Sequence, residues 1–182
     1  MKKNVINWNR LFLFCLGLFI GGAFAMKWIE SDIVYNNEPI SIFGLELFYS
    51  ANRIEEIFSG ITPQVKTILG YHLSFDFIFM AGCFPGIACL CMIAAEKVNS
   101  RVFKLILFSL AFIQLIAWAF DIVENYYLLK WLETPVIGNE FKIYHVVVYS
   151  KWVIALTSVL ISLAVMLIAF YKKKNPKSAI PA

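Results

Sequence analysis

Four long apolar segments, separated by polar connections, dominate the chain. They cover residues 11–29, 69–95, 102–129 and 141–171, and the first reaches this length only with Trp28 and Ile29. A helix needs roughly 20 mainly apolar residues to cross a hydrocarbon core of about 30 Å. In lipid, only helices and closed barrels satisfy the backbone, and continuous apolar runs are typical of helices. We therefore predict an all-α polytopic membrane protein, a single domain (1–182) in which four transmembrane helices form a bundle.

The connection between the first two spans, residues 30–68, is much longer than the others. Within it, apolar residues recur at largely helical spacing among polar ones: Leu45, Phe48, Ile54, Ile57 and Phe58. This pattern predicts an amphipathic helix, either on the outer membrane surface or capping the bundle. Gly60 and the pair Thr62-Pro63 indicate a stop and a new helical start. The segment could serve as a lid or as a packed connector.

Composition supports the membrane assignment, since 60% of residues are hydrophobic and only 15% are charged, against about a quarter charged in soluble domains. The net charge of +4 comes from basic residues at the predicted helix ends: Lys2, Lys3 and Arg10, then Lys97, Arg101 and Lys104, then Lys172, Lys173, Lys174 and Lys177. With four crossings these groups share one side, so the positive-inside rule predicts an inner (plasma) membrane protein with both termini and the basic tail 172–182 in the cytoplasm. Nucleic acid is not a predicted partner.

The first apolar segment also resembles a signal peptide. Basic residues precede it, and Ala23, Phe24 and Ala25 form the small-x-small pattern of a cleavage site. We expect the segment to remain as the first membrane helix, with cleavage after residue 25 as the alternative.

Polar residues interrupt the last three spans at similar depth. Counting about 20 residues at 1.5 Å each from the basic end of each helix brings the outer hydrocarbon boundary near Asp76, Val123 and Trp152. Asp76, Asp121, Glu124 and Lys151 should therefore lie in one layer, with His72 and His145 one to two turns beyond it. Such residues inside spans face the bundle interior and have partners, unless they form an interfacial rim with the aromatic belt.

Helical phase assigns each helix one polar face, because residues three, four or seven apart are neighbours. The faces are His72 with Asp76; Gln114, Trp118, Asp121 and Asn125, with Glu124 beside them; and Tyr144, Val148, Lys151 and Ser158. The candidates for general acid–base catalysis are Asp76, Asp121 and Glu124. The candidates for ligand binding are His72, Asn125, Lys151, Trp118 and Tyr144. We expect Lys151 to be the counter-ion of Asp76.

A possible metal-ligand set is present, because oxygen and nitrogen ligands are offered by His72, Asp76, Asp121, Glu124 and His145. The spacing contains no HExxH, ExxH or CxxC motif, and the four cysteines lie inside apolar segments. We therefore predict neither a metal nor a cofactor.

Two resemblances extend these predictions. YHLSFDFIF, AFDIVENYYLL and the lone Lys151 resemble small bacterial four-span membrane proteins with the pattern D-F-x-F, D-x-x-E-N and K, over most of residues 45–155. The size, the long first connection and DFIFMAGCFPGIACLC resemble in layout the EXPERA group, which includes sterol isomerases and the sigma-2 receptor. That resemblance implies a pocket for an apolar ligand, with Asp76 and Pro85 at the matching positions. The first helix lacks the acid of the sigma-2 pattern.

These observations favour an outer-leaflet pocket that binds a lipid or isoprenoid-like small molecule, with carboxyl acid–base catalysis as an extension. Two alternatives stay open. The first is a structural or accessory subunit that uses the polar layer for helix packing, and the second is a proton-linked transporter.

Overall fold

The computed structural model describes residues 6–174, apart from the side chains of residues 172 and 173. Within this range the helices are α1 (Trp8–Glu30), a π-helix (Gly44–Phe48), α2 (Ala51–Gly60), α3 (Pro63–Lys97), α4 (Arg101–Glu133) and α5 (Glu140–Lys174). Four of them, α1, α3, α4 and α5, are long and apolar enough to cross a membrane. The predicted four-helix bundle of a multi-pass membrane protein is confirmed. Lys2, Lys3 and residues 175–182 of the predicted tail lie outside the described residues.

The helices begin and end at local sequence signals. The side chain of Ser50 accepts a hydrogen bond from the backbone N–H of Arg53 at the start of α2, and Thr62 does the same for Val65 at the start of α3. Such side-chain caps satisfy backbone donors that have no partner within the helix. Pro63, in the first turn of α3, has no N–H to satisfy. The predicted break at Gly60 and restart at Thr62-Pro63 therefore match the helix bounds.

The long helices pack in the order of the chain. α1 lies along α3, α3 packs against α4, and α5 packs against both α3 and α4. The contact between α1 and α3 is close because glycines face it. A Cβ added at Gly82 would lie 2.4 Å from the backbone nitrogen of Phe19, and one at Gly22 would lie 3.0 Å from the Phe79 backbone. Small residues at such contacts let two membrane helices approach closely.

The segment between α1 and α3 differs from the single amphipathic helix predicted for it. Tyr49 and Ser50 have extended backbone and divide it into the π-helix and α2. Both pieces pack onto one end of the bundle, which we call the capped end, through Leu45, Ile54 and Ile57, each at most 1% exposed. The π-helix and α2 are therefore parts of a packed connector over the bundle, which we call the cap. Its core also contains Ile33, Ile40, Ile42, Phe58, Val65, Leu69, Leu73, Leu128, Trp131, Leu132, Tyr144 and Val148.

A short β-hairpin precedes the π-helix. Its strands, β1 (Val34–Tyr35) and β2 (Glu38–Pro39), pair antiparallel. The two loop residues, Asn36 and Asn37, have φ values of 52° and 63°. Two successive positive φ angles match the right-handed twist of the flanking strands, and asparagine tolerates them better than most residues. The hairpin thus turns the chain from the end of α1 toward the cap.

Candidate functional site

Lys151 is the centre of the polar layer and lies on α5, 6% exposed. Its ammonium nitrogen is 2.5 Å from Oδ1 of Asp121 and 2.5 Å from Oε2 of Glu124, both on α4. A third carboxylate, that of Glu46 in the π-helix, approaches to 3.6 Å. One lysine thereby links α4, α5 and the cap.

The position of these groups on α4 follows from helical spacing. Asp121, Glu124 and Asn125 are three and four residues apart and so share one face, and all three are buried. The side-chain amide of Asn125 donates a 2.7 Å hydrogen bond to Oδ2 of Asp76 on α3. We call Glu46, Asp76, Asp121, Glu124, Asn125 and Lys151 the charged cluster.

One predicted pairing is wrong. Asp76 makes no ion pair within 4.0 Å of Lys151, whose partners in the described part of the chain are Asp121, Glu124 and Glu46. The reason is that α4 places two carboxylates on the face toward α5, while Asp76 on α3 meets the amide of Asn125. Asp76 belongs to the same cluster through that hydrogen bond.

Glu46 is the member that sequence reasoning missed, because it lies among the polar residues of the segment for which an amphipathic helix is predicted. It is the one acid within the apolar run IFGLELFY, which is the signal that could have identified it. The indole N–H of Trp152 donates to its Oε2 at 3.1 Å. Burial raises the pKa of Glu46, the attraction of Lys151 opposes this increase, and Asp121 adds to it. The cap therefore contributes a carboxylate to the cluster.

The charged cluster has an excess of negative charge. Its four carboxylates and single lysine have a formal charge of −3 when all are ionised. Removing a charge from water is costly unless it is paired and hydrogen-bonded. Protons, a bound cation or a cationic ligand can compensate the excess.

The other predicted ligand-binding residues lie apart from the cluster or support it indirectly. His72 is buried on α3, and its Nδ1 has no hydrogen-bond partner in the described residues. Trp118 packs against the apolar group of Met80, Phe84 and Ala117. The hydroxyl of Tyr144 donates a 3.0 Å hydrogen bond to a backbone carbonyl of the cap.

No group of three histidine, cysteine or acidic side chains within residues 6–171 is arranged to hold a metal ion. His145 instead lies against the rings of Phe141 and Tyr149. Asp121 and Glu124 contact Lys151, and Asp76 accepts from Asn125, so these side chains do not surround a common point.

An apolar cavity of about 590 Å³ adjoins the cluster. Its walls come from α1, α3 and α5, and two members of the charged cluster, Asp121 and Lys151, close it at one end. Phe43 and Trp152 lie at the same end, with ring centroids 5.7 Å apart. The remaining lining is Phe12, Leu16, Phe19, Phe79, Gly82, Cys83, Phe84, Gly86, Ile87, Leu90, Ala155, Leu156 and Val159. Pro85 does not belong to this lining, although its neighbours do.

Two further polar contacts lie deeper in the bundle. Gln114 donates to the hydroxyl of Ser158 at 2.7 Å, and Ser162 donates to the sulfur of Cys91 at 3.2 Å. Ser158 is seven residues from Lys151, or about 10 Å along α5. These contacts tie α3, α4 and α5 together below the cluster.

Comparison of the chain with known protein families, with curated proteins and with solved structures gives no match. The cavity and the charged cluster are therefore the features that point to a function.

Proposed function

We propose that this protein binds a single amphiphilic molecule, a lipid or an isoprenoid-like compound, drawn from the membrane. Its apolar tail occupies the cavity between α1, α3 and α5, and its head lies against Asp121 and Lys151. The observation that carries the proposal is that one cavity has apolar walls and a charged end. This division matches the division of an amphiphile into tail and head.

The dimensions support this assignment. A volume of about 590 Å³ falls within the 300–1,000 Å³ typical of small-molecule sites. Along α5 the lining extends from Lys151 to Val159, a rise of about 12 Å at 1.5 Å per residue. The cavity therefore suits an extended chain segment parallel to the helices better than a compact polar solute.

The proposal includes an orientation in the inner (plasma) membrane. Basic residues flank the helix ends opposite the cap, namely Arg10, Lys97, Arg101 and Lys104. By the positive-inside rule that end faces the cytoplasm. The capped end and the cluster then lie toward the outer leaflet, so the ligand enters from there.

Asp121 is the residue on which catalysis would depend, if the ligand is also a substrate. It is the one carboxyl in the described part of the cavity lining, and Lys151 contacts it. A carboxyl paired with an ammonium can accept or return a proton on a ligand head within hydrogen-bond reach. Binding requires no such step.

The test is native mass spectrometry of the full chain extracted from membranes without denaturation. Leu156 lines the cavity and is 54% exposed, so Leu156→Trp should fill the cavity with little strain. Leu160→Trp is the matched control, since Leu160 is on the same helix, 66% exposed and outside the lining. We expect wild type and Leu160→Trp to retain a bound amphiphile and Leu156→Trp to lose it. Equal occupancy in the two variants would contradict the proposal.

A structural role is the second candidate, favoured by the way Lys151 links the cap, α4 and α5. Interhelical polar contacts in membranes contribute about 0.6 kcal/mol on average. If Asp121→Asn lowers only protein yield and leaves the bound mass unchanged, the cluster holds the bundle together and does not select a ligand.

A further inference from the structure

The charged end of the cavity has few hydrogen-bond donors to offer a ligand. An ammonium group carries three N–H donors and no acceptor, and Lys151 has three carboxylates within 3.6 Å. The indole N–H of Trp152 is likewise directed to Glu46. The thiol of Cys83 is the remaining side-chain donor of the described lining, and thiols donate weakly.

Acceptors, in contrast, are in surplus. In the described part of the chain, each carboxylate of the cluster has one oxygen in contact with a donor group. Trp152 donates to Oε2 of Glu46, and Asn125 donates to Oδ2 of Asp76. Lys151 contacts Oδ1 of Asp121 and Oε2 of Glu124. An ionised carboxylate only accepts hydrogen bonds, and it has two oxygens. Each carboxylate therefore keeps a second oxygen that has no donor in the described residues, and that of Asp121 belongs to a residue lining the cavity.

Aromatic rings stand at the same end of the cavity. Phe43 and Trp152 lie 5.7 Å apart, and the ammonium of Lys151 is 5.6 Å from the Trp152 ring centroid. The face of an indole or phenyl ring attracts cations electrostatically. These rings reinforce the preference of the carboxylates and attract no anion.

From this distribution of acceptors, rings and charge, we propose that the amphiphile bound in the cavity has a protonated amine as its head group and no phosphate. The proposal rests on the amphiphile binding proposed above. An ammonium head supplies the donors that the surplus oxygens lack and reduces the cluster's formal charge from −3 to −2. A phosphate would add acceptors and negative charge to a site that already has both in excess, and such like-charge contacts are unfavourable.

The experiment uses the full chain in uncharged detergent and three probes with the same tail: tetradecylammonium, tetradecanol and tetradecyl phosphate. Native mass spectrometry measures the bound fraction of each probe in wild type, Leu156→Trp and Leu160→Trp. We expect tetradecylammonium to bind at least about tenfold more tightly than either other probe, a difference of about 1.4 kcal/mol. That binding should disappear in Leu156→Trp and persist in Leu160→Trp.

A substitution in the cluster tests the charge directly. At a pH above the folded pKa of Glu46, Glu46→Gln keeps the shape and removes one negative charge, so it should weaken tetradecylammonium binding and leave tetradecanol binding unchanged. Glu133→Gln is the control, because Glu133 is exposed at the end of α4 and outside the cavity lining. An equal response of the two variants overturns the charge argument.

The outcomes separate the two proposals. The head-group proposal is overturned if tetradecyl phosphate binds as tightly as tetradecylammonium at a site that Leu156→Trp blocks. Amphiphile binding in the cavity would remain supported by that result. Equal binding of tetradecanol and tetradecylammonium also overturns it. If no probe distinguishes Leu156→Trp from Leu160→Trp, amphiphile binding in the cavity is itself wrong.

Discussion

Replacing Lys151 with methionine is the sharpest test of the cluster's energetics. Methionine keeps most of the side-chain length but removes the ammonium that three carboxylates approach within 3.6 Å. Asp121 and Glu124 are 2% and 1% exposed, so water cannot take over as their partner. Removing one member of a buried ion pair costs about 3–5 kcal/mol. We expect Lys151→Met to lower the free energy of unfolding by an amount in this range.

The free energy of unfolding can be measured by titrating a denaturing detergent into uncharged micelles that contain the protein. Lys142→Met is the matched control, since Lys142 is on the same helix and exposed, and surface substitutions usually change stability by less than about 0.5 kcal/mol. A Lys151→Met variant as stable as this control would refute the account.

A double-mutant cycle assigns the effect to a particular contact. In the Lys151→Met background, Asp121→Asn removes a carboxylate that has already lost its counter-ion, so it should cost less than it does in wild type. The expected coupling is about 0.5–3 kcal/mol. Additive effects would show that the 2.5 Å contact between these side chains does not stabilise the fold.

Three further predictions concern the helix contacts and the cap. Gly82→Ala should destabilise the protein by about 1–3 kcal/mol, because the added Cβ would lie 2.4 Å from the backbone of α1. Gly17→Ala is the control, since a Cβ there would have nothing within 4 Å and should not destabilise the protein. Equal thermal midpoints of the two variants would contradict the close packing. Tyr144→Phe should lower the free energy of unfolding by about 1–3 kcal/mol, because it leaves a buried carbonyl of the cap unpaired. Tyr149→Phe removes an exposed hydrogen bond of 3.3 Å and should lower it less in the same detergent titration. Burial raises the pKa of Glu46 above 4.5, so the folded protein holds this proton at pH values where the unfolded chain has released it. This contribution to stability is present below pH 4.5 and is lost as pH rises through the folded pKa. Glu46→Gln should therefore gain stability relative to wild type as pH increases, and a pH-independent difference would contradict the assignment.

The cap is fixed on the bundle and does not act as a lid over the cavity. The π-helix and α2 are fixed by buried isoleucines and by the bond from Tyr144 to the Leu45 carbonyl. A segment packed in this way is a poor candidate for a lid, since mobile lids have few buried contacts. The cavity is instead bounded by α1 and α5, and α1 packs along α3. A ligand from the membrane would enter sideways, between α1 and α5.

The sequence alone determined the architecture, because a span is a local property. Each apolar run is long enough by itself to form a membrane helix, and Thr62-Pro63 and Gly60 mark helix ends through backbone chemistry that depends on nearby residues only. Spacing along α4 also predicts that Asp121 and Asn125 share a face, with Glu124 beside them. The Asn36-Asn37 pair is a local hairpin signal as well.

Which charges meet, and where the cavity lies, depends on how distant segments of the chain pack together. Glu46 is separated from Lys151 by more than 100 residues, and no periodicity connects a π-helix in the cap to a position on α5. Asp76 bonds to Asn125 and not to Lys151 because of how α3 and α4 are rotated toward each other. The cavity lies where α1, close to α3 at Gly22 and Gly82, faces α5. Rotation and close approach depend on contacts between distant segments, which helical spacing within one segment does not encode.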